Sequence, residues 1–263
     1  MSDRVRIEVS DGVADVRLDR PDKHNALDAA MFLGIVEAAA ALAADSAVRA
    51  VVLSGEGASF CSGLDFPSFL SGEAGVDLLG GRDETTIVNL AQQAAYVWYD
   101  LDRPVIAAIT GHCYGGGIQM AAACDIRIAA PGALLSVMEI RWGLVPDMTG
   151  TQLLPRLVRP DLLKELTWTG RKVTGTEAAE IGLVTRVDED PRAAALSLAA
   201  DIASRNPAAV RGAKRLIDAA ADSDLAAGFA LEEQVQRAIL GSPNQLEAVR
   251  ANFEKRPATF ADD

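Results

Sequence analysis

Apolar and polar positions alternate over residues 5–10 and 13–18, on either side of Asp11-Gly12. That pattern predicts a β-hairpin. A polar loop follows from Arg20-Pro21 to Asn25, and Asp28 is placed to cap a helix running to about Ala44. Val48 to Leu53 is an apolar run but for Arg49, the pattern of a strand buried on both faces. Gly55 to Asp65 reads as a loop, residues 66–82 as a flap or irregular helix, and Thr85 to Leu101 as a helix ended by Arg103-Pro104. Strands are expected at Val105 to Thr110, Asp125 to Ala129 and Leu134 to Val137. Beyond Gly150 the periodicity turns helical, over 150–158, 160–168, 176–181, 191–204, 207–220, 224–240 and 243–255, with one short strand near 184–187. A strand-and-helix body with a helical tail emerges, of the α/β class.

The centre of this pattern is Gly115-Gly116-Gly117, between the apolar run Val105–Ile109 and the small-residue run Ile118–Ala123. It predicts strand, tight turn, helix. The first N–H groups of such a helix have no internal partner and carry partial positive charge. They suit an anion, or an oxygen that becomes anionic during a reaction. The same glycines serve equally well for close helix–sheet packing.

Composition narrows the function. The chain has 263 residues, nearly half of them apolar, enough for one large domain or a domain with an appendage. Its net charge is −12 and no basic stripe stands out, which argues against nucleic acid as a partner. Three cysteines, Cys61, Cys113 and Cys124, fit reduced intracellular thiols. The N-terminal stretch lacks the apolar core of a signal peptide. Residues 104–124 are uncharged and long enough to raise a membrane span, but the glycines, His112 and Gln119 fit a buried strand–turn–helix better. The expectation is a soluble, cytoplasmic protein with no membrane partner. The two histidines, His24 and His112, have no companions at zinc-ligand spacing, so no metal is expected. Ser62 lacks a nucleophile elbow, and Gly55-x-Gly57 lacks the third glycine of a dinucleotide fingerprint.

Five motifs in order carry a resemblance. They are Arg20-Pro21 with Asn25-Ala26-Leu27, Phe60-Cys61-Ser62-Gly63-Leu64-Asp65, the glycine triplet, Glu139 with Gly143 to Asp147 and on to Gln152, and Thr174 to Val187. Together they resemble the enoyl-CoA hydratase/isomerase, or crotonase, superfamily from about residue 5 to 255. The resemblance implies a spiral of β-β-α turns over residues 1–200 and a helical region over 201–263 that builds a homotrimer or a dimer of trimers. It implies an acyl-CoA thioester as substrate, with coenzyme A entering as part of it and no bound cofactor. Two backbone N–H groups, by position those of Ser62 and Gly116, are implied as the oxyanion hole. Ser62, Gly63, Leu64 and Asp65, with Lys23, Ala26 and Leu27, resemble the segments that hold the CoA portion; Lys23 reads equally well as a solvated surface lysine.

The acid–base positions decide the reaction. Hydratases of the family place two glutamates around the double bond. The first position is Gln119 here, and an amide neither gives nor takes a proton at useful pH, so it is left to orient water or substrate. The second is Glu139, followed eight residues later by Asp147, an offset that resembles the dienoyl-CoA isomerases. Asp147 serves equally as a cap for the next helix. The preferred expectation is a double-bond isomerase using Glu139 with help from Asp147. An enoyl-CoA hydratase, with Gln119 placing the water, is the alternative, and a CoA-ester-binding protein without turnover is the reading from another class. The loop 66–82 and the helix 85–101 are expected to shape the acyl pocket, with Tyr96, Trp98 and Tyr99 either lining it or packing in the core.

Overall fold

A computed structural model describes residues 3–70, 76–82 and 86–262. Strands β1 (Val5–Ser10) and β2 (Val13–Leu18) form the expected hairpin. Its two-residue turn has Asp11 and Gly12 both at positive φ, 51° and 79°, as a type I′ turn requires. From β2 the sheet continues in parallel through β3 (Ala50–Gly55), β4 (Val105–Ile109), β6 (Ile126–Ala129) and β9 (Arg186–Val187). The order is β1-β2-β3-β4-β6-β9. A second sheet is built from β5 (His112–Tyr114), β7 (Leu134–Ser136) and β8 (Val173–Thr174). The chain thus leaves the large sheet at β4 and at β6 and each time gives its next strand to the small one, the spiral that the resemblance implies.

Both faces of the large sheet are covered, which explains the unbroken apolar run of β3. Val51 and Leu53 face a core shared with α1 (Ala29–Ala44), α3 (Leu90–Asp100) and α4 (Gly116–Ala123). Ala50 and Val52 face α8 (Pro191–Ala203) through Ala195, Ala199 and Ala203. Asp28 caps α1, accepting from the Met31 N–H at 2.8 Å. The strand itself begins at Ala50 rather than Val48.

Several expectations need correction. Strands β5 and β8 were not foreseen: they are too short to show a period, and they lack an apolar pair like Leu134-Leu135 or Leu183-Val184, which marks the equally short β7 and β9. Gly111 makes β5 possible: it sits at φ 53°, and a Cβ there would lie 1.9 Å from the Ala58 carbonyl oxygen. The helix expected over 150–158 is short, α5 (Gly150–Leu153), then a 3-10 turn over Leu154–Arg156. Pro155 has no N–H to continue the α-helical ladder. Of the flap expected over 66–82, α2 (Phe66–Leu70) is a short helix, and 71–75 lie outside the described residues. Thr85, the expected start of the third helix, also lies outside them; α3 begins after Asn89, which forms a capping box with Gln92.

After α6 (Pro160–Thr169) and α7 (Gly175–Glu180), the helical C-terminal region comprises α9 (Pro207–Ala220), α10 (Leu225–Ile239) and α11 (Pro243–Glu254). Among the described residues no helix is long and apolar enough to cross a membrane.

Candidate active site

A cleft of about 310 Å3 lies where the glycine turn meets the 61–65 segment. Gly115 caps α4 at φ 52°, and its own N–H donates to the Ser136 oxygen at 3.0 Å. Gly116 is then the first residue of α4, so its N–H has no acceptor within the helix. A Cβ at Gly116 would fall 2.7 Å from Leu27 Cδ1 and 2.9 Å from Met148 Sδ, and one at Gly117 would fall 2.6 Å from the Cys61 oxygen. The triplet therefore serves both readings at once: it packs closely and leaves an N–H bare in the cleft.

The 61–65 segment is held from two sides. The Cys61 N–H donates to the His112 oxygen, and the Tyr114 N–H returns to the Cys61 oxygen. On the other side the Leu27 N–H donates to the Gly63 oxygen at 2.8 Å, and the Asp65 N–H to the Leu27 oxygen at 3.0 Å. In such a parallel bridge the central residue, Leu64, turns its own N–H away from the partner. Among the described residues, that N–H is the one main-chain donor of 61–66 with no acceptor. The expectation for Ser62 fails here. Its N–H is committed to the His24 oxygen at 2.9 Å and is not available to a ligand. Sequence spacing did not resolve this two-residue difference, because it depends on which neighbouring segment each N–H faces.

Facing these donors is Glu139, the first residue of a 3-10 turn over Glu139–Trp142. It is 9% exposed. Its Oε1 accepts from Gln119 Nε2 at 2.6 Å, while its Oε2 is buried with no partner among the described residues. Burial raises its carboxyl above the ordinary range; its own backbone N–H and the Gln119 amide oppose that, and the Asp147 charge adds to it. Asp147 lines the same cleft at its exposed side, and desolvation raises its carboxyl too. The capping alternative for Asp147 is not realised: Thr149 occupies the N-cap of α5 and no side chain caps it in the usual way.

Gln119 does that work instead. Its Oε1 accepts from the Met148 N–H at 2.8 Å and the Gly150 N–H at 2.9 Å, tying the start of α5 to α4. The side chain is fully buried. Both lone pairs of its oxygen are used and one amide hydrogen goes to Glu139. It is a brace for Glu139 and for the 148–150 turn, rather than a free hydrogen-bonding group.

The remaining expected residues divide. Ser62, Gly63 and Leu64 line the cleft with Gly116 and Gln119. Lys23, Ala26, Leu27 and Asp65 do not. Lys23 is exposed, and its carbonyl oxygen accepts from Ser62 Oγ at 3.3 Å. Ala26 and Leu27 are buried, Leu27 beneath Gly116. Asp65 is paired with Arg20 at 2.6 Å, which also reaches Asp28. The aromatics of α3 stay out of the cleft: Trp98 is in the core and Tyr99 lies against Arg156, so α3 contributes Ala91 instead. Phe66, Trp142 and Met148 were not singled out from sequence, and they line it. Phe66 and Trp142 stack at 4.5 Å between ring centroids.

Comparison with known proteins finds relatives along nearly the whole chain. A profile of the enoyl-CoA hydratase/isomerase family matches residues 8–263. The YngF protein of Bacillus subtilis (strain 168), named for that family, is 36% identical over 264 residues, 99% of each chain. The mitochondrial Delta(3,5)-Delta(2,4)-dienoyl-CoA isomerase of Mus musculus is 35% identical, over 93% of this chain and 77% of that protein. The crystal structure of enoyl-CoA hydratase from Bacillus anthracis superposes with a TM-score of 0.89 at 31% identity, covering 99% of this chain and all of the other. With its two sheets, its glycine turn and the carboxylate facing it, the chain belongs to the enoyl-CoA hydratase/isomerase family and has the crotonase fold.

Proposed function

We propose that the protein isomerises a double bond in an unsaturated acyl-CoA thioester, with Glu139 as the proton shuttle. The observation that carries this reading is the hydrogen bonding of Gln119. With its oxygen committed to two backbone N–H groups, Gln119 has no acceptor left to orient a water. That leaves Glu139, buried and with one oxygen unpartnered, as the group poised against the substrate.

The thioester oxygen of a 3-enoyl-CoA sits between the N–H groups of Leu64 and Gly116. Glu139 Oε2 takes a proton from C2, and the electron pair delocalises onto the thioester oxygen as a dienolate. The two N–H groups hold that charge, a contribution of about 3–4 kcal/mol per donor in comparable sites. Glu139, now protonated, returns its proton at C4, leaving the bond between C2 and C3 in conjugation. Its raised pKa suits it to both halves of the transfer. Asp147, eight residues on and in the same cleft, is the second proton donor for a substrate whose unsaturation lies further along the chain. The dienoyl-CoA isomerase among the relatives supports that extension. Coenzyme A enters as part of the substrate, and no other cofactor has a step to perform. The hydratase reading rests on the names of other relatives and needs a second group to activate water.

Replacing Leu64 by its α-hydroxy acid analogue swaps the N–H for an oxygen and tests the assignment. Turnover is expected to fall about 100-fold or more. The same swap at Ser62 is expected to cost stability and leave kcat within a few fold. Loss at 62 and not at 64 would restore Ser62 as the donor.

Glu139 also marks the pH dependence of stability. Because burial raises its folded pKa, its contribution to stability is present below the ordinary carboxylate value and lost as pH rises through the raised one. Glu139→Gln is therefore expected to melt at a higher temperature than the parent at pH 8, with the gain disappearing by pH 4. Equal melting temperatures at pH 8 would mean that the buried carboxylate is compensated.

Assembly belongs to the same proposal. The C-terminal helices expose Ile217, Leu225, Phe229 and Phe253, apolar side chains that a homotrimer or a dimer of trimers would cover. Light scattering is expected to give about three or six times the 27.7 kDa chain mass. A stable monomer at micromolar concentration would contradict it.

A further inference from the structure

The stacked rings of Phe66 and Trp142 join the two halves of the site. Phe66 follows closely on Leu64, whose N–H faces the thioester oxygen in the proposed reaction. Trp142 ends the turn that Glu139 begins. Their rings meet at 4.5 Å with a tilt of 30°, and both line the cleft. Trp142 is nevertheless 59% exposed, so its outer face is the cleft's boundary with solvent. An acyl chain whose C1 lies at the Leu64 and Gly116 N–H groups, and whose C2 to C4 lie at Glu139, has this pair beside its tail.

Two further features define what the tail can be. Among the described residues the polar side chains on the lining are Ser62, Gln119, Glu139 and Asp147, at the reacting end and the exposed side. The rest, including Leu78, Ala91, Leu144 and Met148, is apolar. Out of reach of those groups and of the Trp142 indole N–H, a hydroxyl on the tail would lose its water without gaining a partner. A terminal carboxylate would be desolvated there with no Lys or Arg among the described lining residues to pair with it. The cleft is also small: at roughly 30 Å3 for each water-sized group, its 310 Å3 holds about ten.

We propose that the Phe66–Trp142 pair is the end wall of the acyl site and restricts the substrate to an unsubstituted apolar chain of medium length, up to about ten carbons. This rests on the reading of the cleft as an acyl-CoA site. Within that length each methylene buried adds about fourfold to affinity. Beyond it the tail must leave the cleft, and the gain stops.

The test uses binding, so that it does not depend on which reaction is catalysed. Saturated straight-chain acyl-CoA esters of four to sixteen carbons are titrated into the full-length protein, with free coenzyme A as reference, by calorimetry and by the fluorescence of the tryptophans. The parent is expected to gain affinity with each methylene up to about ten carbons and then level off or weaken. Trp142→Ala is expected to move that break to longer chains and to raise the affinity for the sixteen-carbon ester relative to the six-carbon one at least tenfold. If Trp142→Ala fails to fold by circular dichroism, Trp142→Leu and Phe66→Leu, which keep an apolar surface at lower volume, are expected to move the break in the same direction. An unbroken rise to sixteen carbons in the parent, or a break that stays in place in the folded variants, would overturn the end wall while leaving the acyl-CoA site intact. Esters that bind no better than free coenzyme A would overturn both.

Discussion

Glu139→Gln is expected to lose about a thousandfold in isomerisation turnover while still binding the CoA ester. General acid–base groups contribute roughly 100- to 10,000-fold, and here one residue serves as both base and acid. The amide is close to isosteric. Its oxygen can still accept from Gln119 Nε2, where the 2.6 Å bond now lies, and its nitrogen takes the place of the unpartnered Oε2. The cleft keeps its shape and its two N–H donors, so KM is expected to change little while kcat falls. Turnover within tenfold of the parent would remove Glu139 from the reaction.

The second large effect is expected at Gln119. Gln119→Glu keeps an oxygen for the Met148 and Gly150 N–H groups, so the brace survives. Its second oxygen takes the place of the amide nitrogen, against Glu139 Oε1. Two carboxyls at that distance share a proton and titrate as a pair. With one proton between them the pair imitates the parent, residue 119 donating to a Glu139 carboxylate. When the pair loses that proton, two charges face each other in a buried site. The parent is expected to show an acid limb alone, set by Glu139 above the ordinary carboxylate range. The variant is expected to gain an alkaline limb and become bell-shaped in kcat/KM. It also gains a second group that exchanges protons with water, so hydration of a 2-enoyl-CoA ester is expected to rise. A folded variant that binds the ester and hydrates no faster would mean that the missing carboxylate at 119 is not what limits hydration. Gln119→Leu is the contrast: it strips both N–H groups of their acceptor, at about 1–3 kcal/mol each, and is expected to melt well below the parent.

Legibility in the sequence followed length and chemistry. The hairpin about Asp11-Gly12, the Asp28 cap and the triplet turn each rest on local rules, and each stands where expected. Short strands such as β8 carry no period and escaped. Glu139 was legible as the carboxylate of the site because its place in a motif fixes it. Gln119 was legible as a departure, but its actual partners, two N–H groups some thirty residues away, are tertiary facts. The same limit governs the proposed oxyanion donor. Ser62 and Leu64 sit in one motif, and only their spatial neighbours His24 and Leu27 decide which N–H is left bare. Phe66 and Trp142 lie 76 positions apart and look unremarkable until folding stacks them.

The central claim is that this site moves a proton along an acyl chain rather than adding water to it. The direct measurement offers the pure protein 3-enoyl-, 3,5-dienoyl- and 2-enoyl-CoA esters of one chain length and follows conjugation and water addition side by side. Unconjugated esters are expected to be converted to conjugated ones at a kcat/KM at least tenfold above that for hydration of the 2-enoyl ester. Hydration of the 2-enoyl ester at about 10–1000 per second, with the 3-enoyl and 3,5-dienoyl esters left unchanged, would contradict it.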